Sequence, residues 1–284
     1  MGMNQTVVTG FILLGFTNRN DILVILFIVF LVIYVFTLLG NFCIIAVTFF
    51  NTILHKPMYF FLGNLAFLDI IYSTVIAPKM LSTFLMKDKS ITYTGCVVQM
   101  FLFAVLITTE SVLLAIMAYD RYLAICNPLR YPAIMTTRFC AWLISGAYLN
   151  ASLHSLLHTY ILSHLTYCED RLIPHFFCDV TPLIKLSCSS TALAELLIYT
   201  EGSLAANIPF LFILISYVLI TRDIVKMKNS SSRSKAFSSP VLLISWSFAC
   251  FMVPTFSFTS VLHQTTHLSM IALLAWLTPS SHLC

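Results

Sequence analysis

Four acidic side chains lie within long apolar stretches of this sequence, where a carboxylate is costly. These acids are Asp69, Glu110, Glu195 and Glu201. If the stretches cross a bilayer, a charged group at its centre costs roughly 2.5–3.5 kcal/mol on insertion scales, and such residues mark ion or proton sites. At about 1.5 Å per helical residue, Asp69 lies about 18 Å from Pro57 and Glu110 about 16 Å from Arg121. The two carboxylates therefore reach similar depths in antiparallel helices.

Asn41 adds a third polar group at a comparable depth in the first apolar stretch. Two interpretations of Asn41, Asp69 and Glu110 remain open from the sequence. One is a buried cluster that takes up a cation or a proton. The other is a neutral carboxyl pair that hydrogen-bonds helices together. Glu195 and Glu201 fall near the end of their stretch, where they can reach loop water.

The tripeptide Asp120-Arg121-Tyr122, within MAYDRYLAIC, lies where the third apolar stretch ends. We expect Asp120 to hold Arg121 until a binding event releases it. A guanidinium at a helix end presents a planar set of donors, which suits the backbone carbonyls of a partner inserted from the cytoplasm. The alternative is a positively charged membrane anchor with an interfacial tyrosine, and three residues alone do not exclude it.

The composition explains why so few polar residues stand out. The 284-residue chain is 59% hydrophobic and 9% charged, whereas soluble domains carry about 25% charge. A membrane-spanning helix needs about 20 predominantly apolar residues, and the alternating segments of about 10 residues that build membrane β-barrels are absent from the sequence. Six windows qualify: residues 22–50, 57–81, 93–119, 139–162, 191–220 and 236–261. The sequence therefore predicts an all-α membrane protein with a single transmembrane domain.

Lysine and arginine are unevenly distributed between the predicted loops. With the N-terminus outside the cell, nine of the fifteen basic residues fall on the inner side, as the positive-inside rule requires. Asn4-Gln5-Thr6 is an acceptor for N-glycosylation that an outer N-terminus makes usable. A cleaved signal peptide is not expected. The net charge of +4 thus marks a cytoplasmic face, and no nucleic-acid partner is predicted.

Four cysteines fall on the predicted outer side, an oxidising compartment in which disulfides persist. They are Cys96, Cys168, Cys178 and Cys188. Zinc is the rival interpretation, but the spacing C-x9-C-x9-C lacks the close ligand pairs of structural zinc sites. Disulfides are therefore favoured and no metal is predicted, although the sequence leaves all three pairings of four cysteines open.

Several motifs occur in a fixed order within residues 54–238, and the resemblance that they carry extends from residue 10 to residue 238. They are LHKPMYFFLGNLAFLD, MAYDRYLAICNPLRY, HFFCDVTPLIKLSC, Ser216-Tyr217 and SKAFS. Together they resemble the olfactory receptors, which are rhodopsin-like, G-protein-coupled receptors. The resemblance implies a seven-transmembrane helix bundle of the rhodopsin-like type in the plasma membrane. It also implies a small volatile odorant as ligand, a heterotrimeric G protein of the olfactory stimulatory type as partner, and no cofactor.

The same resemblance assigns roles to particular residues. It pairs Cys96 with Cys178 and Cys168 with Cys188, and it makes Asn41, Asp69 and Glu110 an ion-linked polar site. The residues implied in G-protein coupling are Asp120, Arg121, Tyr122 and Tyr217. The residues implied at or near the odorant pocket are Phe103, Ala104, Ile107, Thr108, Gly202, Ala205, His154 and His158.

The chain departs from the family pattern in two places. Tyr148 stands where the family's fourth span carries tryptophan, which adds a hydroxyl that needs a partner. After SKAFS the family's motifs end, and no Asn-Pro pair follows Asn127-Pro128. The last apolar run, 268–277, makes about 15 Å of helix, short of a membrane core of roughly 30 Å. The seventh helix is therefore predicted to be disrupted or incomplete.

A reading-frame shift near Ser238–Ser239 accounts for the altered tail. Codons that encode Pro240–Ile244 can also encode Pro-Cys-Ser-Pro-His in a shifted frame, and residues 245–255 then permit Leu-Phe-Tyr-Gly. Residues 277–281 permit Asn-Pro-Leu-Ile-Ser in the same frame. The missing family motifs thus reappear in order, and the altered tail predicts retention in the endoplasmic reticulum.

Three functions are compatible with these observations. The first is an odorant receptor, and the alternative is the non-signalling product of a disrupted olfactory receptor gene. A membrane transporter is a distant third, because the internal repeats and broken helices that transporters commonly show are not evident. An enzyme is not expected, since the sequence presents no nucleophile–base constellation and no phosphate-binding glycine loop.

Overall fold

A computed structural model describes residues 10–14, 20–51, 56–86, 89–167, 172–173 and 177–226. Asn4, Cys168 and the predicted spans 236–261 and 268–277 lie outside these residues. The proposed shift of reading frame also lies outside them.

Helices dominate the described part of the chain. In chain order they are α1 (Asn20–Phe50), α2 (Pro57–Leu85), α3 (Tyr93–Cys126), α4 (Tyr131–Ile134), α5 (Thr137–Ser163), α6 (Val180–Lys185) and α7 (Ala192–Lys226). The first four predicted spans fall within long helices, and the fifth, 191–220, begins one residue before α7. Four described segments are long and apolar enough to cross a membrane: Asp21–Phe50, Pro57–Leu85, Tyr93–Cys126 and Asn207–Lys226.

The outer surfaces of the long helices carry apolar side chains. On α1, Ile25 is 61% exposed, Phe36 67% and Phe42 60%. A soluble protein rarely exposes a contiguous apolar patch of more than a few hundred Å². These side chains are therefore placed to contact lipid rather than water.

The chain divides into two compact units. One comprises residues 1–35, 71–107 and 150–203, and we call it the disulfide unit. The other comprises residues 36–70, 108–149 and 204–284, and we call it the carboxylate unit. All contacts described below lie within one unit or the other.

A small β-sheet in the disulfide unit was not anticipated by the all-α prediction. Strand β1 (Gly10–Leu13) lies between β2 (Ser90–Thr92) and β3 (Leu172–Ile173). It pairs with β2 antiparallel and with β3 in parallel. Alternate residues of a strand point to opposite faces, so β1 buries two large apolar side chains in the core. The buried core of this unit is Phe11, Leu13, Cys96, Met100, Leu162, Ile173, Cys178, Leu183 and Ile184.

The carboxylate unit also has an apolar core, supplied by α2, α3 and α7. Its most completely buried large side chains are Phe61, Leu68, Leu113, Ile220 and Ile224. This interior also contains the acidic side chains of Asp69, Glu110 and Asp120.

Candidate functional site

Asn41, Asp69 and Glu110 come together in the carboxylate unit, from α1, α2 and α3. Their exposed fractions are 3%, 6% and 6%. The Asn41 side chain hydrogen-bonds to the Asp69 carboxyl, and Glu110 is close enough to interact electrostatically with Asp69. Asn41 Nδ2 also donates to the backbone carbonyl of Thr37 at 3.0 Å. The structure thus brings together the three residues that the sequence placed at similar depth.

Two buried carboxyl groups side by side cannot both be ionised without a compensating positive charge, because burial and like charge both oppose it. A cation between them, or a proton on one of them, provides that compensation. Asn41 Oδ1 is buried and has no hydrogen-bond partner within the part of the chain described. An amide oxygen and carboxylate oxygens are hard ligands suited to a hard cation.

Asp120 is 2% exposed and accepts a hydrogen bond from Tyr131. The Tyr131 Oη–Asp120 Oδ1 distance is 2.9 Å. Tyr131 begins the short helix α4, so this contact ties the end of α3 to the chain that follows it. Burial, together with the Asp120 charge, raises the pKa of the Tyr131 phenol. Tyr131 therefore remains protonated at physiological pH and acts as the donor.

The expected interaction between Asp120 and Arg121 is electrostatic, because the Arg121 charge acts on the Asp120 carboxylate alongside the hydrogen bond from Tyr131. Among the described residues, no nitrogen–oxygen distance within 4.0 Å joins the two side chains. Neighbouring residues of a helix point about 100° apart, so they do not face each other. Arg121 is half-buried, and its charge acts on the buried hydroxyl of Tyr217 in α7.

A second contact between α3 and α7 lies near the same end of both helices. The Cys126 thiol hydrogen-bonds to the carboxylate of Asp223, which in turn lies 3.9 Å from Lys226 Nζ. Tyr122 is half-buried and stacks on Tyr119 with ring centroids 6.4 Å apart. The predicted coupling residues therefore surround the ends of α3 and α7 in the carboxylate unit.

The Cys96–Cys178 disulfide is present and joins the start of α3 to the segment that precedes α6. Gln99, one turn along α3, reinforces it. Its Oε1 accepts from the Cys178 backbone N–H at 3.3 Å, and its Nε2 donates to the Val75 carbonyl at 3.1 Å. Cys188 is also disulfide-bonded, whereas its predicted partner Cys168 lies outside the described residues.

The predicted odorant-binding residues divide between the two units. Thr108 and Ala205 belong to the carboxylate unit, and the other six belong to the disulfide unit. Phe103 is the best defined of them, because its ring packs between two aromatic rings. The ring centroids of Tyr72 and Phe177 lie 5.4 Å and 5.3 Å from it. This arrangement gives the disulfide unit an aromatic wall of three rings.

His154 and His158, one turn apart on α5, contact each other directly. Their Nε2 atoms are 3.1 Å apart. His158 is 8% exposed, and His154 is half-buried. Tyr148, which stands where the family carries tryptophan, lies on the same helix. Its hydroxyl is buried and has no hydrogen-bond partner among the described residues.

Sequence reasoning missed two positioning residues. Tyr131 stands at the end of the quoted motif MAYDRYLAICNPLRY, eleven residues after Asp120, so its presence in that motif was the available signal. Gln99 carried no signal beyond being a polar residue three positions after Cys96 in an apolar stretch.

Comparison with known proteins gives a consistent result. The profile of the family described as 7 transmembrane receptor (rhodopsin family) matches residues 40–282. Olfactory receptor-like protein COR4 of Gallus gallus is 50% identical over 236 residues, covering 83% of this chain and 76% of the relative. Olfactory receptor 1F1 of Homo sapiens is 45% identical over 238 residues, covering 84% and 76%. Olfactory receptor 5I1 of Homo sapiens is 46% identical over 236 residues, covering 83% and 75%.

Proposed function

Because the chain belongs to the olfactory receptors of the rhodopsin family of seven-transmembrane receptors, we propose that it binds small volatile odorants within its helix bundle and activates a heterotrimeric G protein. The observation that carries the proposal is the identity of 45–50% with olfactory receptors over more than four-fifths of the chain. Catalysis forms no part of it. The plasma membrane, an outer N-terminus glycosylated at Asn4 and a stimulatory olfactory-type G protein are the finer parts of the proposal.

Arg121 is the residue that we assign to the G protein. Its half-buried guanidinium lies at the end of α3, and the neighbouring carboxylate of Asp120 is occupied by Tyr131 at 2.9 Å. Arg121 can therefore offer its donors to backbone carbonyls of a partner without first breaking an ion pair with Asp120. Tyr217 is placed to stabilise the engaged position, because it already lies within the reach of the Arg121 charge.

We assign Phe103 to the odorant pocket. Its packing against Tyr72 and Phe177 provides a rigid aromatic surface, which suits an apolar ligand that contributes few hydrogen bonds. Ala104 and Ile107 follow on α3 and are half-buried. The other candidates on α3 and α7, Thr108, Gly202 and Ala205, are half-buried as well, and His154 and His158 of α5 are the candidates that the resemblance implies near the pocket.

We assign the Asn41, Asp69 and Glu110 cluster to a cation or a proton that is linked to receptor activation. All three side chains are almost fully buried, and two adjacent carboxyl groups in such a place need a compensating charge. The neutral carboxyl pair is the competing interpretation. A bound sodium ion predicts that the thermal stability of the receptor rises with sodium concentration at constant ionic strength, whereas a proton on one carboxyl group and the neutral pair both predict no response.

A second candidate function is a non-signalling product of a disrupted gene. The observation that favours it is the lack of an Asn-Pro pair after Asn127-Pro128, although the family profile extends to residue 282. A transporter has no specific observation in its favour.

One experiment separates the two candidates. The chain as written and a version carrying the shifted-frame tail after Ser238 are expressed with an N-terminal tag, and surface staining and cyclic AMP are measured across an odorant panel. An odorant response from either version supports the receptor function. A response from the repaired version alone supports the interpretation that the altered tail disrupts the receptor. Equal surface levels and equal responses from both versions would show that the altered tail does not impair the receptor.

A further inference from the structure

The two histidines of α5 form a preorganised pair of nitrogen donors. His154 and His158 are four residues apart, so both side chains project from the same face of the helix. Their Nε2 atoms are 3.1 Å apart, and their ring centroids are 4.4 Å apart. Two imidazole nitrogens that meet at one point can share a proton, or they can share a metal ion.

We propose that His154 and His158 together bind a transition-metal ion, Zn²⁺ or Cu²⁺, through their Nε2 atoms. With metal–nitrogen bonds of about 2.0–2.1 Å, a nitrogen–nitrogen separation of 3.1 Å corresponds to an angle of about 100° at the metal. That angle lies between the octahedral and tetrahedral values. The Nε2 separation is therefore compatible with two ligands of one ion.

The chemistry of the pair supports these ions over harder ones. Neutral imidazole suits zinc, copper and nickel, whereas magnesium and calcium prefer oxygen. Histidines at positions i and i+4 of a helix are also the pair of ligands that the helical H-E-x-x-H motif presents to zinc. When the ion binds, the proton that bridges the two rings moves to the Nδ1 atom of its own ring, so each imidazole remains neutral.

His154 and His158 provide two ligands. Among them, no group of three or more His, Cys, Asp or Glu side chains is close enough to hold one ion. Water or a donor atom of a small ligand must fill the other coordination positions, as in sites that keep an open position. This inference goes beyond the proposed function, because the ion requires neither an odorant nor a G protein.

The test uses the purified full chain, without a histidine tag, reconstituted in lipid nanodiscs and stripped of metal. Titration with CuCl₂ is followed by electron paramagnetic resonance, with no odorant present. The proposal expects one tightly bound ion per chain, with hyperfine coupling to two imidazole nitrogens, which excess ZnCl₂ displaces. A spectrum of wild-type protein at saturation with coupling to one nitrogen or none overturns the proposal.

Two variants and one control assign the signal. His158→Gln removes one ligand, and His158→Gln combined with Thr159→His keeps the number of histidines but changes the spacing to five residues. Both should lose the two-nitrogen signature and weaken copper binding at least tenfold. His164→Gln is the matched control, because His164 is exposed and its Nδ1 lies 2.9 Å from the Tyr160 carbonyl oxygen. Wild-type copper binding in the spacing variant would refute the proposal, and thermal unfolding without metal verifies that each variant is folded.

Discussion

The disulfide unit and the carboxylate unit stabilise their interiors in opposite ways. The disulfide unit joins distant segments with the Cys96–Cys178 bond and a small sheet around an apolar core. The carboxylate unit buries the acidic side chains of Asp69, Glu110 and Asp120. Burying a charge lowers stability unless it is well compensated. The first unit is thus built to hold a shape, and the second keeps groups whose charge state or partner can change.

This contrast predicts that variants of the disulfide unit lose stability, whereas variants of the carboxylate unit mainly lose signalling. The largest loss is expected for Cys96→Ala, because removing a native disulfide typically costs about 2–5 kcal/mol. Surface expression and thermal unfolding in detergent are the measurements. Cys43→Ala is the matched control, because Cys43 is an exposed free thiol. Equal losses from both variants would contradict the assignment of stability to the disulfide.

Gly10→Ala should be the next most destabilising. A Cβ at this position would lie 2.6 Å from the Ile91 carbonyl oxygen in the adjacent strand, so β1 must shift or lose its pairing. Overpacking of this kind costs about 1–3 kcal/mol. Gly146→Ala is the control, because a Cβ there meets nothing within 4 Å. The temperature of thermal unfolding should fall for Gly10→Ala and should stay unchanged or rise for Gly146→Ala.

Tyr131→Phe tests the carboxylate unit. It leaves the buried Asp120 without its donor, at a cost of about 1–2 kcal/mol. We also expect weaker G-protein activation, because Asp120 then becomes available to Arg121. Tyr119→Phe serves as the control, since the exposed Tyr119 ring stacks on Tyr122 and keeps that packing without its hydroxyl. An unchanged cyclic AMP response and an unchanged unfolding temperature in Tyr131→Phe would show that this contact supports neither signalling nor stability.

Arg121→Ala should have the smallest effect on stability and the clearest effect on signalling. Arg121 is half-buried and acts electrostatically on Asp120 and Tyr217, so we expect its loss to lower stability by no more than about 1 kcal/mol. In a tail-repaired version that signals, the variant should reach the surface at the normal level and give no cyclic AMP response. A normal response would return Arg121 to the role of a membrane anchor.

The sequence was sufficient for features that depend on local composition. Apolar windows of helical length predicted the five long described helices, because each needs only its own residues to be recognised. The Cys96–Cys178 disulfide was predicted from family resemblance and is confirmed. The similar depths of Asn41, Asp69 and Glu110 could be predicted from their positions along the sequence, because a helix rises by a constant distance per residue.

Features that depend on contacts between distant segments were not predicted. Strands of two to four residues carry too little pattern to be read locally, and β1 exists because segments about 80 and 160 residues away pair with it. The hydrogen bond from Tyr131 to Asp120 was not expected, because the two residues come from different helices. The bond from Gln99 to the Cys178 backbone likewise depends on a loop 79 residues away.

The central position of β1 in the sheet sets an order of events during synthesis. Its two neighbours emerge in sequence, and β3 appears roughly 160 residues after β1. At a translation rate of about 5–20 residues per second, β1 waits about 8–32 s for its second partner. Until then the edge of β1 and the apolar side chains of Phe11 and Leu13 lack their final neighbours. A chaperone that recognises extended apolar segments therefore has the longest time to bind β1, which is the first strand to be synthesised.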